Sequence, residues 1–139
     1  MKNRLRTIAL VATLAAFCGH VSAKWKQISD DLYVDDESMQ RYGDHREILQ
    51  LTNFFPQEVA PGTFAQSNVI RMRYNCYSIS YNKTSVGRSA VMSLIAYEGR
   101  MGKGRVVLSS KEERDWERVE RETVGMKIME ALCSGELGR

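Results

Sequence analysis

Histidine is scarce in this chain: two occur in 139 residues, and one of them, His20, lies within the first 23. Nucleophilic catalysis by a thiol or hydroxyl needs an imidazole or comparable base beside it. Only His45 is left for that role. Asp44 beside it has the makings of an orienting carboxylate, but a histidine in the turn between Gly43 and Arg46 reads more simply as an exposed ring. A hydrolase is therefore disfavoured, and the chain is read as a non-enzyme. Cysteine is scarce too, at three residues, and with two histidines it shows no zinc-ligand spacing. No apolar run reaches the roughly 20 residues that a bilayer span requires. Repeats, low-complexity tracts and composition breaks are missing, which leaves one domain.

An excess of one charge is missing as well, once the start of the chain is set apart. The formal net charge is +3, and Lys2, Arg4 and Arg6 supply all of it. These basic residues precede an apolar stretch over 8–17 and then Val21, Ser22 and Ala23. That order is a secretory signal peptide over residues 1–23, with cleavage after Ala23. Lipidation at Cys18 fits less well. Phe17 stands where a small residue is needed, and Leu14 lies one position too far away. Residues 24–139 then form a charge-balanced single domain, long enough for a core. Balanced charge removes the bulk electrostatic case for nucleic acid and for a polybasic membrane anchor. The destination is the periplasm or the cell surface.

An exported chain that keeps two cysteines is expected to join them, because such compartments are oxidising. Cys76 should therefore bond Cys133. Residues 69–81 read as a strand, with Ile70, Met72, Tyr74 and Cys76 on the inner face and Arg71, Arg73, Asn75 and Tyr77 on the outer. Short strands are expected at 25–28 and 32–35, a longer one at 46–55 with Leu49 and Leu51 on one side, an apolar central strand at 90–97 and a returning strand at 105–108. Residues 56–68 contain both prolines and read as a loop. The segment 82–89 reads as a turn. Thr123 is a candidate N-cap for a helix over 123–133 with Val124, Ile128, Ala131 and Leu132 on one face. The charged stretch 111–122 reads as exposed around Trp116 and Val119. The fold class is α+β, a mostly antiparallel sheet of about five or six strands with one C-terminal helix packed on it.

Other motifs carry little chemistry. Asp30, Asp31, Asp35, Asp36 and Glu37 lack the ligand alternation and central glycine of a calcium loop. The glycines of 99–104 precede a strand rather than a helix, so they suit a hairpin rather than a phosphate. The sequon at Asn82 lies in the turn. No cofactor is implied. Two groups could serve binding: Arg71, Arg73 and Tyr77 on the outer strand face, and Arg100, Met101 and Lys103 at the hairpin tip. Arginines simply paired with neighbouring carboxylates are the plainer alternative. Exposed edge strands would suit a homodimer.

Trp25 follows the leader. Residues 32–51 run from a tyrosine strand through an Asp-x-x-Ser turn and a glycine into the next strand. Cys76 sits mid-chain, and Trp116 with Val119 precedes a terminal helix ending at Cys133. This order resembles the surface-adhesin protein E family of Gram-negative bacteria across nearly all of residues 24–139. The resemblance implies a small exported antiparallel sheet with a helix and one disulfide, and attachment to a protein partner such as a host extracellular protein. It assigns no binding residue. The alternative is a periplasmic accessory or inhibitor protein of the cell envelope.

Overall fold

The computed structural model describes residues 24–77 and 87–138. The leader, the sequon and most of the turn expected at 82–89 lie outside them. The described chain is an antiparallel meander: β1 (Trp25–Ser29), β2 (Leu32–Tyr42), β3 (His45–Ala60), β4 (Thr63–Asn75), β5 (Gly87–Tyr97) and β6 (Val106–Ser110) pair in that order. A short strand, β7 (Glu117–Val119), returns to pair with β5, and the chain ends in helix α1 (Val124–Ser134). The outer edge of β5 is thus divided. Residues Leu94 to Tyr97 face β6, and Gly87 to Ser89 face β7.

Alternation along the strands sends two different sets of residues to the two faces. Val34, Ile48 and Tyr74 point to the face that α1 covers, where Ile128, Met129 and Leu132 meet them. These helix residues are fully or almost fully buried. Burying each is worth on the order of 1.5–3 kcal/mol. Gly87 lets the helix lie close, since a Cβ there would meet the Met129 sulfur at 2.6 Å. Thr123 caps the helix by accepting from Met126 N at 3.2 Å, as expected of that residue. Gly135, at φ +80°, turns the chain in a Schellman closure that folds Leu137 back into the core. The tyrosine hydroxyl of Tyr74 accepts from Gln50 Nε2, and burial pushes this phenol up to about 12.

Cys76 and Cys133 form the expected disulfide, with Cα atoms 5.5 Å apart. Cys76 is buried, as its place on the inner face implied, but it does not sit within a strand. Within the described residues the strand expected over 69–81 ends at Asn75, whose side chain accepts from Tyr77 N at 3.0 Å; residues 78–81 lie outside them. The loop expected at 56–68 is also corrected. β3 and β4 run on as a two-stranded ribbon, with register through Gln57↔Ala65 and Ala60↔Thr63. Pro56 is tolerated because β2 pairs no further along β3 than Thr52 and the β3–β4 register skips Pro56 in an irregularity between Asn53 and Gln57. Pro61 and Gly62, the latter at φ +72°, supply the turn. β2 is longer than its sequence suggested. It passes through a bulge between Asp35 and Gln40, where Ser38 Oγ replaces a ladder acceptor by taking the N–H of Leu49 at 2.9 Å. The charged stretch after β6 contains β7, anchored by buried Val119.

Candidate functional site

Among the described residues, the face of the sheet opposite α1 carries no α-helix. Its residues follow from the register: Trp25 pairs with Asp35, Asp35 with Leu49, Leu49 with Arg71, and Arg71 with Ser93. The next row joins Tyr33, Leu51, Val69 and Ile95. Directly paired residues share a face, so an apolar row runs beside one that contains Arg71. A groove of ≈ 500 Å³ lies over them, with Leu49, Val69 and Ile95 on its floor and Trp25, Tyr97 and Met101 along its margin.

One wall of the groove is the tip of the β5–β6 hairpin. There Arg100–Gly102 form a single 3₁₀ turn, and Met101 has the left-handed φ of 58°. Two nearly buried side chains hold the tip over the sheet. Asn53 Oδ1 accepts from Met101 N at 2.7 Å, and its amide reaches the Met101 sulfur at 3.1 Å. Ser67 Oγ accepts from Gly102 N at 3.0 Å and donates to the Gly99 carbonyl at 2.6 Å. Arg100 is tied to Asp31 of the β1–β2 turn at 2.7 Å. The glycines here serve a hairpin, as their spacing suggested, but one that folds onto the sheet.

The charge beside the groove is unevenly shared. Glu47 pairs with Arg73 across β3 and β4, and its side chain is 6 % exposed. Its Oε1 accepts from Arg73 Nε at 2.7 Å and lies 2.5 Å from Nη2. Its other oxygen is 3.9 Å from Arg71 Nη1, an atom that is buried and makes no hydrogen bond. Two arginines therefore share one carboxylate, and Arg73 holds it. Arg73 also lies 5.9 Å from the centre of the Tyr42 ring. Asp35, two strands from Arg71 with Leu49 between them, does not complete the pairing. Burial pushes its carboxyl above the usual range, partly offset by the backbone N–H groups of Glu37 and Ser38.

Of the residues singled out in the sequence, the structure brings Arg71 and Arg73 together on this face. Arg100 reaches the margin but is engaged by Asp31. Tyr77 lies beyond the end of β4 and is exposed, and Lys103 is exposed on the hairpin. Neither joins the groove. His45 is half-buried rather than exposed, because its ring packs 5.1 Å from that of Trp116. Glu47, Trp25, Ile95 and Tyr97 were missed. The alternation of 46–55 put Leu49 on a face, but only cross-strand register sets Glu47 opposite Arg73. Among the described residues no helix is long and apolar enough to cross a membrane.

Residues 23–134 match the family described as surface-adhesin protein E. The chain belongs to this family. Membership makes it adhesin-like and places it with exported or surface proteins; the family is one of adhesins, not of enzymes. No curated protein matches the chain. Among solved structures, protein E of Haemophilus influenzae is similar with a TM-score of 0.62 at 15% identity, covering 85% of this chain and 89% of that one. A second crystal form gives 0.59 at 14% identity, covering 78% and 84%. Protein E from non-typeable Haemophilus influenzae gives 0.62 at 16% identity, covering 85% and 82%. At these identities the likeness is one of fold.

Proposed function

We propose that this chain is an exported adhesin-like protein that binds a protein partner through the helix-free face of its sheet. The observation that carries this reading is the groove beside the Arg71–Glu47–Arg73 cluster. It joins a half-buried apolar floor, an aromatic margin and an incompletely paired arginine in one place. Tryptophan, tyrosine and arginine are the residues that dominate binding energy at protein interfaces. The adhesin family supports the same reading, with a host extracellular protein as the partner class. The leader over residues 1–23, cut after Ala23, supplies the route out of the cytoplasm.

Photo-crosslinking from the groove tests this. A crosslinker at position 95 of the processed protein should capture a host matrix protein, and Trp25→Ala should abolish the capture. A crosslinker at position 130, on the exposed side of α1, should capture nothing. Capture confined to the producing bacterium's own envelope proteins would overturn adhesion in favour of an accessory envelope role. Binding that survives Trp25→Ala and Arg71→Ala together would overturn the assignment of this face.

A further inference from the structure

We propose that the groove takes an extended segment of the partner in which a carboxylate side chain lies among apolar ones, with Arg71 receiving the carboxylate. The proposal rests on the reading that this face is the binding surface, and it specifies the chemistry recognised there.

Charge complementarity comes first. Arginine carries five N–H donors in a planar fork that matches a carboxylate. Arg73 uses that fork on Glu47 at 2.7 and 2.5 Å, whereas Arg71 approaches the same carboxylate only to 3.9 Å. Its Nη1 makes no hydrogen bond, and its side chain keeps 28% of its exposure at the groove. One positive charge is therefore left over in a partly desolvated setting, where a second carboxylate would be bound more strongly than in open water. Asp35 does not supply it, because it lies two strands away with Leu49 between the two.

Length and shape then separate a chain segment from a small acid. The lining runs from Trp25 on β1 to Tyr97 on β5. Four strand spacings of ~4.8 Å make about 19 Å, the span of roughly six extended residues at ~3.3 Å each. A lone fatty or aromatic acid would fill one part of this. Leu49, Val69 and Ile95 offer apolar floor along the way, and Trp25 and Tyr97 offer flat rings at the two ends. The wall is preorganised, since Asn53 and Ser67 already fix the hairpin tip. Less ordering is then needed when a ligand enters.

The test uses the processed protein and a labelled hexapeptide with one glutamate among leucines and phenylalanines, followed by fluorescence anisotropy. Binding is expected, and replacing the glutamate by glutamine should weaken it by about tenfold or more. Arg71→Gln should erase this preference, and Arg71→Lys should restore part of it. Arg100→Gln should leave the preference intact. Trp25→Ala should weaken both peptides alike. Thermal unfolding of each variant keeps loss of fold apart from loss of binding. Equal binding of the two peptides, no binding of either, or a preference that survives Arg71→Gln overturns the proposal. So does an eight-carbon fatty acid that displaces the peptide at equal concentration. If the acidic peptide fails while partner crosslinking at position 95 still depends on Trp25, this proposal falls and the binding face stands. If crosslinking is also indifferent to the groove, both fall.

Discussion

Asn53 holds Met101 in a left-handed conformation: its side-chain oxygen takes the Met101 N–H at 2.7 Å, and its amide reaches the sulfur at 3.1 Å. Left-handed backbone costs a non-glycine residue roughly 1–2 kcal/mol, and Asn53 and Ser67, with the Arg100–Asp31 ion pair, retain the hairpin tip over the sheet. Asn53→Ala should leave that N–H without its acceptor and destabilise the protein by about 1–3 kcal/mol. At about 4–8 °C per kcal/mol, the melting temperature should drop visibly in a circular-dichroism scan. Met101→Gly should recover part of the loss in the Asn53→Ala background. An unchanged melting temperature for Asn53→Ala would show that the tip is not held by this residue.

The Cys76–Cys133 bridge closes a separation of 57 residues. On the chain-entropy view this is worth roughly 4 kcal/mol, less any native strain. Cys76→Ser and Cys133→Ser should each lower the melting temperature by a similar amount, and the double variant should lose no more than either single one. A double variant clearly worse than both would mean that the two thiols contribute separately. Alkylation of the unreduced processed protein should label no cysteine.

Burial raises the Asp35 carboxyl above its ordinary 3.8. The folded chain therefore holds that proton more tightly than the unfolded chain. The contribution of Asp35 to stability grows as pH falls through the raised folded value and is lost as pH climbs above it. Asp35→Asn keeps an oxygen for the Glu37 and Ser38 N–H groups and removes the charge. It should be more stable than the parent at pH 7, by a margin that shrinks toward about pH 4. Denaturant unfolding across that range checks this, and a margin independent of pH would reject it.

Phe55 on the β3–β4 ribbon is 90% exposed. Phe55→Ser should change stability by no more than about 0.5 kcal/mol. It should reduce self-association at high protein concentration, since an exposed aromatic invites contact between molecules. Light scattering and thermal unfolding measure the two effects. A large fall in melting temperature would mean that the ribbon packs on the domain.

Much of this architecture was legible because it is local. The alternation of Ile70, Met72 and Tyr74 against Arg71 and Arg73 correctly separated the two faces of β4. Thr123 marked the helix start, and two remaining cysteines marked the bridge. The ribbon at 56–68 was not legible. Proline ordinarily ends a strand, and Pro56 is harmless because β2 pairs no further than Thr52 and the β3–β4 register skips it between Asn53 and Gln57. Asn75 ended β4 early through its own side chain, a choice the apolar pattern does not encode. The groove was least legible. It needs Trp25, Leu49 and Ile95 on one face and Glu47 opposite Arg73. Those neighbours are set by strand order and register across five strands.

The divided edge of β5 bears on the order in which the molecule is assembled. From β1 to β6 each strand pairs with the one before it, so the sheet can close hairpin by hairpin as the chain emerges. Short-range pairing of this kind forms quickly. β7 and α1 must instead come back across the finished sheet, to the other end of β5 and to the bare face holding Val34, Ile48 and Tyr74. Until they arrive, an apolar surface is open to mispairing and aggregation. Disulfide formation between Cys76 and Cys133, with both thiols oxidised by an external disulfide carrier of the oxidising compartment, is then the closing event of folding, and a thiol assay on newly made chains would time it.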